Sequence, residues 1–276
     1  MDISVAVPSD GISLAGDFTT PDGAAKKPLP GVVVAHGFAG ARYPALAAHL
    51  AGRGYGVLSF DFRGYGKSGG DRGNVVPQEQ VSDIRNAVSW LEKRPEIDPN
   101  RIAVIGSSLG GSIAIMAAAK DQRIKACVAG CPLGHGDAAM RKLYDTEEKF
   151  QAFMKKVEDI KRKNGRLARF EIVFIPENLR NFLPAGTPME FTADTVHGFL
   201  SLNPLDVIGD IAPRSVFIIH AEDDHVVPVA DAHALKERGG SHCDLEVVPT
   251  GDHFIFGAKP IIESIGNWLV KKFPPA

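Results

Sequence analysis

Val104-Ile105-Gly106-Ser107-Ser108-Leu109-Gly110-Gly111 closes one apolar run and opens another. Arg101 to Ile105, leading into it, reads as a short buried strand, and Leu109 to Ala119, leading out, is Ala-rich and reads as a helix. Strand, tight turn and helix in that order form the unit from which α/β sheets are built. Two adjacent serines at the turn raise a second question: which of them, if either, carries chemistry.

The same alternation runs outward in both directions. Val32 to Ala35 and Tyr55 to Phe60 read as strands, and Ile124 to Ala129, Ser215 to Ile219 and Leu245 to Val248 follow later. Helices are expected at Pro44 to Gly52, Gln80 to Lys93, Val229 to Arg238 and Ile261 to Phe273; Val81, Ile84, Val88 and Leu91 show the helical spacing. Two alternating runs at the start, Ile3 to Val7 and Ser13 to Phe18, flank Ser9-Asp10-Gly11 and predict an antiparallel hairpin. The expected fold is therefore α/β: a mostly parallel central sheet with helices on both faces, an N-terminal antiparallel hairpin and a helical insertion. Ligands of such sheets bind beyond the carboxyl ends of the strands, so functional residues are sought just after each strand.

The alternation breaks after Pro132. Residues 132–213 are too long for a connection and read as a cap or lid inserted into a core of 1–131 and 214–276. Within it, Phe150, Phe153, Met154, Val157 and Ile160 share one face of a helix that Asp145 is expected to cap, with Glu148 three residues on. That stripe reads as packing. Lys155, Lys156, Lys161, Arg162 and Lys163 read as its solvated side.

The chain has 276 residues, 44% of them hydrophobic, enough for a sizeable core. Its 31 Lys+Arg balance 33 Asp+Glu, which argues against nucleic acid or an acidic membrane surface as a partner. No apolar run reaches the ~20 residues of a membrane span. MDISVAVPSDG lacks a basic, then apolar, leader, so a cytoplasmic location is expected. Cys127, Cys131 and Cys243 lack metal-site or disulfide spacing and read as buried small side chains. No metal cluster or dinucleotide fingerprint is found, and no cofactor is expected.

A serine lifted above a sheet on a sharp strand-to-helix turn needs small residues two before and two after it. Ser108 has Gly106 and Gly110 there, whereas Ser107 has Ile105 and Leu109. Gly66-Lys67-Ser68-Gly69-Gly70 fits the same spacing but has no helix directly after it. Nor is it a phosphate-binding loop, since position 61 is Asp where that motif needs Gly. A serine of this kind needs a histidine oriented by a carboxylate. The strand ends offer His220-Ala221-Glu222-Asp223-Asp224-His225 and then Gly251-Asp252-His253-Phe254, an acid followed by a histidine.

With these pieces in order the chain resembles the α/β-hydrolase family over nearly its whole length. Gly106-Ser107-Ser108-Leu109-Gly110 resembles the family's nucleophile elbow. Ala221-Glu222-Asp223-Asp224-His225-Val226-Val227-Pro228 is similar to its acid turn, with alanine in place of a glycine. Gly251-Asp252-His253-Phe254 is similar to its late histidine motif, and His36-Gly37-Phe38 to its oxyanion loop. The resemblance implies Ser108 as nucleophile, His253 as base, Asp224 as the orienting acid, and backbone N–H groups of Phe38 and Leu109 as oxyanion donors. His36, Gly37, Cys131 and Pro132 follow strand ends and are expected to line the substrate site. His220, at a strand end, reads as held by a structural hydrogen bond, with a place on the floor of the site as the alternative.

The implied activity is hydrolysis of an ester with a small to medium, partly apolar acyl group, through an acyl-enzyme. Phe150, Phe153, Phe170, Phe174, Phe182, Phe191 and Phe199 of the insertion would supply the apolar wall. Amide or peptide cleavage is the second reading, and thioester or carbon–carbon hydrolysis with the same three residues a third. A non-catalytic relative that binds a ligand in the same pocket is the rival from another class. The expected partner is a small-molecule ester or amide, and a homodimer is compatible with apolar residues exposed on the insertion.

Overall fold

The computed structural model describes residues 1–23, 27–38, 40, 42–171, 189–249 and 251–275. Strands β1 (Asp2–Ser9) and β2 (Ile12–Thr19) pair antiparallel across the two-residue turn Asp10-Gly11. Both turn residues have positive φ, 45° and 84°. That handedness matches the twist of the strands it joins. Then come β3 (Leu29–Ala35), α1 (Pro44–Gly52), β4 (Gly56–Phe60), α2 (Pro77–Glu92), β5 (Ile97–Ser107), α3 (Leu109–Lys120) and β6 (Ile124–Gly130). Helix α2 starts three residues before the expected Gln80, because a proline at the first helical position opens the helix rather than blocking it.

After the insertion the core resumes with β9 (Ser215–Ala221), α8 (Val229–Gly239), β10 (Cys243–Val248) and α9 (Lys259–Lys272). The eight core strands form one sheet in the order β1-β2-β4-β3-β5-β6-β9-β10. It is antiparallel at β1, β2 and β4 and parallel from β4 onward. Alternation divides the core. Val33, Ile102 and Val104 face α2, α3 and α8; Val32, Val34, Ala103 and Ile105 face α1 and α9. Because Val32–Ala35 of β3, Ile102–Ile105 of β5 and Ala126–Ala129 of β6 are covered on both sides, they read in the sequence as unbroken apolar runs.

The insertion contributes α4 (Gly136–Lys142), α5 (Glu147–Asn164), β7 (Arg169–Glu171), β8 (Glu190–Thr192), α6 (Ala193–Leu200) and α7 (Pro204–Val207). β7 and β8 pair antiparallel as a second, two-stranded sheet, which the expectation of a purely helical insertion did not include. Thr146, not Asp145, caps α5, accepting from the Lys149 N–H; Asp145 lies one residue outside and pairs with the Lys149 ammonium. Phe150 and Val157 are buried, with Phe153, Met154 and Ile160 packed beside them, as the stripe predicts. Phe174 and Phe182 lie outside the described residues.

A polar knot seats β8 and α6 on the core. The Thr192 hydroxyl donates to Asn74 Oδ1 (2.6 Å), and the Thr195 hydroxyl donates to the Gly73 carbonyl (3.0 Å) while accepting from the Val75 N–H (2.9 Å). Both threonines are fully buried. Among the described residues no helix is long and apolar enough to cross a membrane.

Candidate active site

Strands β5, β6, β9 and β10 lie side by side and end on one edge of the sheet, where the loops after β5, β9 and β10 meet. Ser108 stands between β5 and α3 with φ 53° and ψ −124°. A non-glycine residue there costs ~1–3 kcal/mol, held by its surroundings. Here the Ser108 N–H donates to the Gly130 carbonyl (2.6 Å), and its own carbonyl accepts from Gly111 (2.8 Å) and Ser112 (3.1 Å). A Cβ on Gly106 would lie 2.0 Å from the Gly110 carbonyl oxygen, and one on Gly110 would lie 2.2 Å from that of His36. The turn closes only with glycine on both sides. Ser107 is buried, its side chain beside Tyr43, whereas the Ser108 hydroxyl reaches His253, so the two neighbouring serines point to different places.

The Ser108 hydroxyl lies 2.7 Å from His253 Nε2, and His253 Nδ1 lies 2.8 Å from Asp224 Oδ2. The carboxylate accepts and cannot donate, so Nδ1 carries the imidazole proton and Nε2 is left to accept from the serine. Asp224 Oδ1 accepts from the backbone N–H groups of Val226 and Val227, each at 2.8 Å. Burial by itself would raise the carboxyl's pKa. Hydrogen bonds from His220, His253 and Val227 outweigh it and hold Asp224 below the usual carboxylate range. The Asp224 side chain has no solvent exposure, so its charge is retained through those bonds.

Main-chain contacts join the acid loop to the histidine loop. Asp223 accepts from the Asp252 N–H (2.9 Å), and Asp252 accepts from His225 N–H (3.2 Å) and His253 N–H (2.7 Å). Asp252, at φ 53°, was not singled out in the sequence. Its position immediately after Gly251 in a short turn was the available signal.

In the loop after β3, a Cβ on Gly37 would lie 3.0 Å from Ser108 Cβ. This brings the Gly37-Phe38 peptide beside the serine. Leu109 begins α3, where the first N–H groups have no partner inside the helix. The Phe38 ring packs on Phe191 of β8 (centroids 5.2 Å apart) and Phe199 of α6 (5.7 Å).

The remaining expected lining residues are buried around the site. His36 is buried beneath the loop: Nδ1 donates to the Gly37 carbonyl (2.7 Å) and Nε2 accepts from the Phe62 N–H (3.0 Å). Both ring nitrogens are used, so the ring shapes the loop from behind and offers neither to a substrate. Desolvation holds its pKa below the ordinary histidine value. Cys131 is buried at φ 44°, and Pro132 beside it is buried too. The Cys131 sulfur, an Asp224 oxygen and a His253 ring nitrogen lie within 4.8 Å of one another, so this residue packs against the acid and the histidine. Burial pushes the Cys131 thiol pKa far up. These three donor types suit a soft divalent ion, but Nδ1 and Oδ2 already share a proton. The Ser68 hydroxyl donates to the Asp61 carbonyl (2.5 Å) and accepts from the Ala15 N–H (2.8 Å), a structural role.

A family model described as "Alpha/beta hydrolase family" matches residues 32–261. The "Uncharacterized 31.7 kDa protein in traX-finO intergenic region" of Escherichia coli is 36% identical over 163 residues, 57% of this chain. The chain spans 56% of that protein's length, about half. "Thiohydrolase apmlB" of Arthrinium phaeospermum is 28% identical over 258 residues, covering 80% of this chain and 84% of its own. Among solved structures, hypothetical protein PA2218 of Pseudomonas aeruginosa superposes with a TM-score of 0.85 at 22% identity, over 99% of this chain and 94% of that one.

Proposed function

Because the chain belongs to the alpha/beta hydrolase family, we propose that it is a serine hydrolase that opens a carboxylic ester of a small to medium, partly apolar acyl group. The observation that carries this reading is the continuous hydrogen-bond line from Ser108 Oγ through His253 to Asp224, 2.7 and 2.8 Å long. A serine hydroxyl is a weak nucleophile until a base takes its proton, and His253 Nε2 lies within transfer distance. Ser108 Oγ attacks the carbonyl carbon as His253 accepts the proton, and Asp224 stabilises the imidazolium that forms. The oxyanion is received by the N–H groups of Phe38 and Leu109, each such donor being worth ~3 kcal/mol in the transition state. His253 then returns the proton to the leaving oxygen, and water repeats the sequence on the acyl-enzyme. Phe38, Phe191 and Phe199 form the apolar wall for the acyl group.

Thioester cleavage is a second reading, favoured by the likeness to a protein named as a thiohydrolase. The same attack serves both, and only the leaving atom differs.

A fluorophosphonate probe tests the proposal, applied to wild type, Ser108→Ala and Ser107→Ala with the adduct located by peptide mass. Labelling at Ser108 that survives Ser107→Ala and vanishes in Ser108→Ala is the expected result. Labelling lost only in Ser107→Ala, or no labelling of folded wild type, overturns it. Matched oxygen and sulfur esters of increasing acyl length then separate the two readings by their kcat/KM.

A further inference from the structure

Asp224 Oδ2 serves two imidazoles. Besides His253 Nδ1 at 2.8 Å, His220 Nε2 lies 3.3 Å away. The same His220 nitrogen lies 2.9 Å from the Val227 carbonyl oxygen. Both of these neighbours only accept, so His220 Nε2 carries a proton; it donates to the Val227 carbonyl, with Asp224 Oδ2 close beside the same N–H. A closed ring results: Asp224 Oδ1 accepts from the Val227 N–H, the Val227 carbonyl accepts from His220, and His220 reaches back to Asp224 Oδ2. His220 stands at the end of β9, four residues before Asp224, with no solvent exposure. Among the described residues its buried Nδ1 has no hydrogen-bond partner, whereas the side that faces the acid loop is bonded. Space filling alone would be met by an apolar residue, without burying a bare nitrogen.

We propose that His220 is a positioning residue: held on the Val227 carbonyl and set 3.3 Å from Oδ2, its single N–H fixes the plane of the Asp224 carboxylate and limits how fully Oδ2 serves His253. This rests on the serine-hydrolase reading above. The titratable groups around the ring are Asp224 on its own loop, Cys131 after β6, and Asp252 and His253 after β10. With one neutral donor removed, the carboxylate gains basicity and freedom to turn. The first effect strengthens its hold on protonated His253; the second loosens the geometry of attack.

Two variants test it. His220→Leu cannot donate, whereas His220→Gln carries an amide that reaches the place of Nε2. The readouts are kcat and KM on the wild type's best ester, the pH profile of kcat/KM, and the downfield proton resonance of the His253 Nδ1–H bond. His220→Leu is expected to lower kcat about 10- to 100-fold, the usual range for an outer partner of a site residue. KM should stay within roughly twofold, the mark of an interaction used in the transition state. The acid limb should move to higher pH, the Nδ1 resonance should shift, and His220→Gln should restore most of kcat. Unchanged kcat and resonance in folded His220→Leu overturn the proposal. Where Leu fails to fold, His220→Asn, too short to span both acceptors, takes its place. The resonance needs no turnover: a shift in a protein that no probe labels upholds the clamp and overturns the hydrolase reading instead.

Discussion

Gly106 and Gly110 stand two residues either side of Ser108, and each lacks room for one carbon atom. That is why the serine was legible: a backbone carbonyl about 2 Å from the missing Cβ is a demand that only glycine meets, and sequence records it directly. Gly110→Ala should cost about 1–3 kcal/mol through overpacking and slow probe labelling at Ser108 by more than tenfold, read by thermal unfolding and labelling kinetics together. Gly52→Ala, with nothing within 4 Å of the added carbon, is the control and should change neither. Other residues were legible only by type. His36 and His253 both follow strand ends, yet one spends both nitrogens on backbone and the other reaches the serine. Which way a ring turns depends on loops from elsewhere in the chain, and adjacency in sequence does not encode that.

Elements of the core were legible because each repeats a simple pattern: apolar runs for strands covered on both faces, 3.6-residue spacing for α2, a glycine-bearing turn for the hairpin. The insertion was less so. β7 and β8 are three residues each, too short for alternation to register, and Thr146 displaced Asp145 as cap by one position of backbone geometry. The loop after β3 ties stability to pH through His36. Burial keeps the folded pKa of His36 below its unfolded value of ~6.5. Below that pH the unfolded chain takes a proton that the folded chain refuses, so stability is lost as pH falls from about 6.5 toward the folded pKa. His36→Gln, whose amide oxygen can still accept from Phe62, should flatten this part of the stability–pH curve in denaturant titrations. An unchanged slope would mean that other groups set it.

Across the whole molecule, core and insertion are fastened by the buried Thr192–Thr195 knot rather than by an apolar seam alone. Thr195→Val strips the Val75 N–H of its acceptor, while the Gly73 carbonyl keeps the Thr192 N–H. An orphaned buried donor costs ~1–3 kcal/mol. Hydrogen exchange at Val75 should rise sharply, and acyl-length selectivity should broaden as Phe191 and Phe199 lose their fixed position against Phe38. Exchange that matches wild type would show the knot to be dispensable. The break in alternation marks a candidate start for the insertion, but nothing in a single sequence tells which polar pairs will meet across 120 residues.

One consequence follows from the order of strands. Ser108 belongs to β5 and its neighbours, whereas Asp224 and His253 arrive with β9 and β10, joined to the rest through five backbone pairs between Ala126–Gly130 and Ser215–Ile219. A slip of one pair would carry the histidine ~3.3 Å past the serine. During synthesis the strained serine therefore emerges long before anything can take its proton. On the proposed mechanism a nascent or truncated chain is therefore an unarmed one, able to act only after its last two strands have docked.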